Sequence, residues 1–247
     1  MPCETQTYEI NNDVKTGGNY YKPADFKDFI DDNQIHLNRY EETLPVGGKN
    51  KRLIEHIRTL YRSDDLTKSL PLGSHGALGL PFESYQLAYT LSLAQDIFGG
   101  RVTANVLTNQ GKYTRSADMK GVNKPFPATD PDDLWWIRSG MPLFYPVAQS
   151  KARFYSPYGY EDPLGSQTKV RFYREALPAC YWLLLEATED AHSNTAEVLE
   201  YEFRTLTPKR MQDANNNEIA ALSDELGLVV LTAIIGTEIL YWAPIRT

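Results

Sequence analysis

Three segments between residues 160 and 236 repeat one another, and that repetition limits the folds open to this chain. They are DPLGSQTKVRFY from Asp162, DAHSNTAEVLEY from Asp190 and DANNNEIAALSD from Asp213. Each opens with Asp followed by Pro or Ala. Small polar residues stand three and four places on: Gly165 and Ser166, Ser193 and Asn194, Asn216 and Asn217. The aspartates recur at a spacing within the roughly 20–50 residues that mark stacked arrays, whose units cannot bury an apolar face alone. Asp, Asn and Ser side chains bond to backbone N–H groups a residue or two on, and Gly and Asn tolerate positive φ, so each opening reads as a turn between strands. Three ordinary hairpins of an all-β domain would give the same signal, and the pattern alone leaves both readings open.

Strand-like runs surround these turns. Thr168, Val170 and Phe172 alternate with Lys169 and Arg171, the period of a half-buried strand. Cys180 to Thr188 and Leu228 to Ile235 are more continuous apolar runs, expected as strands covered on both faces. An aromatic content of 16 Tyr, 9 Phe and 4 Trp points the same way.

Upstream the pattern is less regular. Residues 1–10 alternate as a strand, and residues 11–24 are turn material. Pro23 to Ile30 suits a short helix with Asp25 and Asp28 near its N-terminus. Lys51 to Arg62 carries both periods: Leu53, Ile57, Leu60 and Tyr61 share a helical face, but Leu53, Ile57 and Tyr61 also alternate against Arg52, His56 and Arg58. Residues 69–84 form an irregular connection, and Tyr85 to Thr90 reads as a strand. Thr90 or Ser92 then caps a helix through Phe98 that Gly99-Gly100 stops. Residues 101–133, with the acidic run DPDD at 130–133, read as a solvated loop. In the following Trp135-Trp136 pair, adjacent strand residues point to opposite faces, so one indole enters a core while the other packs elsewhere.

No catalytic, cofactor-binding or metal-binding residues emerge, and no cofactor is expected. His56 reads as a surface or hydrogen-bonded residue rather than a ligand. His75, Ser84 and the carboxylate of Glu83 invite a hydrolase reading, but no Gly-x-Ser-x-Gly elbow accompanies them. DPDD lacks the spacing of a calcium loop, and the glycine pairs lack a phosphate-loop frame. The formal net charge of −7 argues against a nucleic-acid surface. No apolar run reaches the length of a membrane span, and the N-terminus has neither the basic nor the apolar region of a Sec signal peptide. Cys3 and Cys180 do not make a disulfide framework, and whether they pair is open.

The three units resemble degenerate Rhs/YD repeats, whose pattern is an Asp-Pro-x-Gly-Asn turn, a strand, then Tyr-Asp and a Gly-containing turn. The first keeps Asp162, Pro163, Gly165 and Thr168; the third keeps Asp213, Asn217, Asp224 and Gly227. None keeps the full pattern, and Phe172-Tyr173 and Ser223-Asp224 stand where Tyr-Asp belongs. Further runs are similar, in order, to the B component of bacterial insecticidal Tc toxins, of the SpvB-like, Rhs-containing family. They are PCETQTYEI (2–10), KRLIEHIRTLYRSDDLTKSLPLG (51–73), LGLPFESYQLAYT (78–90), LWWIRSG (134–140) and EYEFRTLTP (200–208).

The combined expectation is a mainly β fold of antiparallel, YD-type hairpin repeats stacking into a curved sheet, with one or two short helices. Residues 1–150 form an irregular β region with short helices, and residues 151–247 the degenerate repeats. The resemblance suggests a strand for Lys51 to Arg62. It also implies a non-enzymatic internal segment of an Rhs-type hollow shell that encloses a toxin effector, secreted as part of a Tc-like complex. The partners implied are the rest of the shell, the other Tc components and the effector. A short derived paralogue or a remnant gene product is the alternative origin. Structural turn positions are Asp162, Gly165, Asp190, Asn194, Asp213, Asn217, Asp224 and Gly227. Two other functions stay open. Trp135, Trp136 and the tyrosines motivate a carbohydrate- or cell-surface-binding module, and the many carboxylates motivate an acidic glycoside hydrolase. The run from Leu228 to Ile235, with Ile239 to Trp242, is expected to associate if left on a sheet edge.

Overall fold

The computed structural model describes residues 2–11, 20, 22–25, 35–175 and 180–236. The chain is mainly β, built of antiparallel hairpins, and parts into two compact units between Met141 and Pro142.

The first unit carries strands β1 (Glu4–Ile10), β2 (His36–Asn38), β3 (Asn50–Tyr61) and β4 (Pro81–Tyr89), then helices α1 (Leu91–Phe98) and α2 (Ala104–Asn109). Strand β5 (Thr114–Arg115), helix α3 (Ser116–Met119) and strand β6 (Trp135–Arg138) complete it. The sheet order is β1-β3-β4-β6-β5. The short β2 runs parallel to the first residues of β3, and the other pairs are antiparallel. In β3 the two competing periods resolve as strand, because β1 takes one of its edges and β4 the other; partner strands override local periodicity. The polar side of β3 is the buried one: His56, Arg58 and Leu60 face inward together. Around them the core collects Leu60, Tyr85, Leu87, Phe126 and Trp136, with Leu53, Leu72, Phe82, Met119 and Leu134 at its margin.

Helix α1 starts and stops as its sequence dictates. The Thr90 hydroxyl accepts from the Leu93 N–H, and Gly99 adopts φ 55° while its N–H returns to the Gln95 carbonyl. Residues 101–133 are not a plain loop, for they hold α2, β5 and α3. The described residues contain four whole short helices and the helical residues 23–25, where sequence patterning yields one or two. The missed helices are four and six residues long, too short to show a periodic apolar stripe. Strand β4 begins four residues ahead of the expected Tyr85, at Pro81. The expected helix over Pro23 to Ile30, much of the turn region 11–24 and the run Ile239 to Trp242 fall wholly or mostly outside the described residues.

The second unit begins inside strand β7 (Met141–Leu143). It continues through α4 (Val147–Ala152), β8 (Gly159–Glu161), β9 (Gln167–Tyr173), β10 (Tyr181–Glu189) and β11 (Thr195–Glu202) to β12 (Thr207–Gln212), β13 (Glu218–Ser223) and β14 (Val229–Ile235). These eight strands form one sheet in simple chain order. Gly159 is fixed by the close approach of β8 and β9: a Cβ there would stand 2.7 Å from the Thr168 carbonyl oxygen. The apolar runs are not covered on both faces. Leu183 is 72% exposed, and all seven residues of β14 are exposed. The reason is the single layer: a meander gives each strand lateral partners, but a second sheet is needed to cover its other face.

Candidate functional site

Four turns of the second unit share one geometry. In the turn joining β8 to β9, Asp162 Oδ1 accepts from the Leu164 and Ser166 N–H groups, both at 2.8 Å. Asp190 Oδ1 does the same for His192 and Asn194 between β10 and β11, and Asp213 Oδ1 for Asn215 and Asn217 between β12 and β13. The fourth turn joins β13 to β14, where Asp224 Oδ1 takes the Leu226 and Leu228 N–H groups, both at 2.9 Å. In each, the residue three places after Asp sends its N–H to the Asp carbonyl and has positive φ: Gly165 at 89°, Ser193 at 64°, Asn216 at 64° and Gly227 at 85°. This is the three-residue hairpin loop in which a type I turn is followed by a left-handed residue. Asn194 and Asn217 add a second clasp, each Nδ2 donating to Asp Oδ2, at 2.9 and 3.1 Å. The fourth turn closes the opposite end of the sheet from the other three, since successive turns of a meander alternate ends.

The hydrogen bonds hold the carboxyls of Asp190 and Asp213 below the ordinary aspartate value. For Asp190 the Asn194 amide side chain is the largest cause, and for Asp213 the Asn217 backbone N–H. A depressed folded-state pKa adds stability that is present above the unfolded value of 3.8 and is lost as pH falls through the folded value. Unfolding of the second unit should therefore become easier as pH drops below about 4. D190A and D213A should lower the urea midpoint at pH 7 and flatten that pH dependence. Midpoints that do not move in either variant would show the turns to be passive.

In the first unit a polar assembly lies in the core. Arg58, at 4% exposure, donates through Nε to Glu4 Oε1 at 2.8 Å and through Nη1 and Nη2 to the two oxygens of Asp130. Its guanidinium carbon sits 4.8 Å from the ring centroids of both Phe126 and Trp136, which adds a desolvated cation–π contact on each. His56 Nε2 lies 2.6 Å from the same Glu4 oxygen, and its ring meets Trp136 edge-on at 4.9 Å. Burial would raise Glu4, but the hydrogen bonds from Arg58 and His56 outweigh it and hold the carboxyl below its usual value. Burial pushes His56 down, against the pull of Glu4, so the imidazole is held neutral at pH 7. Trp136 Nε1 donates to the buried Ser116 hydroxyl at 2.8 Å.

The DPDD run is a loop with Asp132 exposed, but each of its carboxylates is paired. Asp130 binds Arg58, Asp132 binds Lys120 and Asp133 binds Arg115. These three carboxylates tie the segment before β6 to β3, to β5 and to the residue that follows α3. The one sequence signal for this was the burial-prone WW pair next to an acidic run, which puts carboxylates at a core boundary.

The residues that invited catalysis are otherwise engaged. Glu83 is buried, accepts from Arg138 at 2.8 Å and from the Tyr85 hydroxyl at 2.5 Å. Ser84 meets the Thr59 hydroxyl at 3.2 Å, while the exposed His75 lies against its neighbour Gly76's carbonyl at 2.8 Å. The structure does not gather the three into one constellation. Trp135 and Trp136 are both buried, at 3% and 0% exposure. Trp136 enters the core, and Trp135 lines a cavity of about 220 Å³ against α1 and α2 with Leu91, Ala94 and Leu107. Neither indole offers an open face to a sugar. Cys3 and Cys180 are free thiols. Among the described residues no cluster of metal-ligating side chains occurs and no helix is long and apolar enough to cross a membrane.

No protein-family model matches the chain, and no curated protein does. Solved structures do match. The Photorhabdus luminescens Tc holotoxin pore matches over 80% of this chain with a TM-score of 0.53 and 20% identity. The fold is that of a segment of a Tc toxin chain. A TcdB2–TccC3–Cdc42 complex matches over 76% at a TM-score of 0.52 and 18% identity, and a TcdB2–TccC3 complex over 78% at 0.51 and 18%. In each case the chain spans only 8% of the length of the solved chain.

Proposed function

We propose that this chain serves as a non-catalytic wall segment of an Rhs-type hollow β-shell that encloses a toxin effector in an extracellular Tc-like complex. The observation that carries this reading is the shared fold across three quarters or more of the chain, matched to a small fraction of much longer Tc toxin chains. The meander of the second unit supports it, because a wall grows by adding hairpins edge to edge, and each Asp-led turn is a closed local unit that needs no partner. The eight turn positions act as hairpin closures in this reading, and residues 151–247 as degenerate repeats. Partners are then the remaining wall of the shell, the other Tc components and the enclosed effector.

Co-expression with the other shell chains of a Tc-like system and the effector tests it. The chain should co-elute with the shell on gel filtration, and the effector should resist protease only when the wall is complete. A chain that elutes alone and leaves effector digestion unchanged would overturn the proposal.

A further inference from the structure

Not every arginine of the second unit has a carboxylate partner among the described residues, and Arg153 is one that has none. Arg58, Arg115, Arg138, Arg171 and Arg210 each hold a carboxylate. Arg153, at the C-terminal end of α4, holds none among the described residues, and its Nη1 is buried without a hydrogen-bond partner. A desolvated guanidinium nitrogen without an acceptor is a costly arrangement. It is nevertheless built with care. The guanidinium carbon lies 3.7 Å from the Tyr145 ring centroid and 4.5 Å from that of Trp182. The chain leaves Arg153 through two consecutive non-glycine residues with positive φ, Phe154 at 54° and Tyr155 at 55°, a strained exit that surrounding structure must impose. Buried Ser150 imposes it: its hydroxyl donates to the Tyr145 carbonyl at 2.6 Å, and its carbonyl accepts from the Tyr155 N–H at 2.8 Å. Ser156 pins the other wall, its hydroxyl donating to the Trp182 carbonyl at 3.0 Å.

One carboxylate beside this assembly, Glu175, already binds two other groups. Glu175 Oε1 accepts from the Tyr145 hydroxyl at 2.9 Å, and Oε2 from the Phe172 N–H at 3.2 Å. We propose that Arg153 is a binding site for an exogenous carboxylate, held at the N–H edge of the guanidinium beside Tyr145 and Trp182. The two rings stand at 77° to one another with centroids 6.5 Å apart, so they do not sandwich the guanidinium; the N–H edge they leave is where a planar carboxylate matches the fork. Glu175 sets a repulsion that an anion arriving here must overcome. Its field reaches this place, for it raises both the Tyr145 hydroxyl, after burial pushed up to about 12, and the Cys180 thiol, while Arg153 opposes it on each. The carboxylate comes either from a small molecule or from an acidic side chain of a neighbouring segment. The proposal stands apart from the shell reading, since it concerns one residue's missing counter-ion.

Equilibrium dialysis of the full chain tests it, with labelled acetate as one probe and hexaglutamate as the other, at constant ionic strength set by sodium chloride. One acetate should bind per chain with an affinity in the millimolar range, typical of a single charge-assisted pair. R153Q should weaken it about tenfold or more, and R153K should recover only part, because an ammonium lacks the planar fork. E175Q should tighten it severalfold by removing the neighbouring negative charge. Hexaglutamate binding far tighter than acetate assigns the site to a partner's side chain, and equal affinity per carboxylate assigns it to small molecules. Binding of neither probe, binding unchanged in R153Q, or E175Q that weakens rather than tightens it would overturn the proposal; the E175Q arm stands even if R153Q misfolds.

Discussion

Replacing Arg58 by alanine is expected to destabilise the first unit by about 3–5 kcal/mol, the range for breaking a buried ion pair and stranding its partner. The magnitude follows from what is left behind. Asp130, whose side chain is 11% exposed, loses both of its guanidinium hydrogen bonds. Glu4, a third exposed, loses one and keeps His56, so its share is smaller because solvent screens it. The stacking surface between Phe126 and Trp136 becomes a gap in the core as well. R58K should fare only modestly better, since an ammonium cannot serve two Asp130 oxygens and Glu4 with one fork. D130N should cost less than R58A, because Arg58 retains Glu4. The double variant should cost less than the sum of the singles by about 1 kcal/mol or more, as partners in one network couple. Urea unfolding followed by tryptophan fluorescence measures all four. An R58A midpoint within about 0.5 kcal/mol of the parent would place the assembly among surface pairs of no consequence.

How much of this was legible in the sequence depends on the distance over which each feature is decided. The hairpin organisation of the second unit can be read because Asp, Gly and Asn set a turn within five residues, and strands joined by short turns pair with each other. The ends of α1 can be read for the same reason, from Thr90 and Gly99. The Arg58 assembly could not. Its partner Asp130 stands 72 residues away, and a run of Asp with Pro looks like solvated loop until an opposing cation is known. In β3 the polar side was the natural choice for solvent; in fact it turns inward, because Glu4, Asp130 and the aromatic rings supply what His56 and Arg58 need. Asp224 shows a subtler limit. In DELGLVV the turn residues sit beside an apolar run, and the repeat pattern of the other three made them look like the tail of a unit. The geometry makes them the start of a fourth turn at the other end of the sheet.

The isolated chain should self-associate through β14. This strand is the last of its sheet among the described residues, paired on one side only with β13. Its sequence VVLTAII carries no charge, no proline and no glycine, and its large residues are widely exposed, with Val230 at 60% and Ile234 at 79%. Natural edges are protected by lysine, proline, bulges or cover; β14 has one register irregularity, at Val230 near its start, and no lysine or proline within the strand. The same segment meets the composition of a cross-β template. Antiparallel pairing of two copies about Thr232 would set Leu231 against Ala233 and Val230 against Ile234, with no like charges opposed. In a complete wall the neighbouring hairpin would occupy this edge instead. Light scattering at micromolar concentration should therefore report species larger than the monomer. V230K with I234K, two positions on one face of the strand, should return the chain to a monomer without altering its circular dichroism, because both side chains already lie in solvent. Adding the adjoining shell segment in trans should have the same effect by occupying the edge. A parent chain that stays monomeric, or a double variant that associates as before, would rule out β14 as the contact.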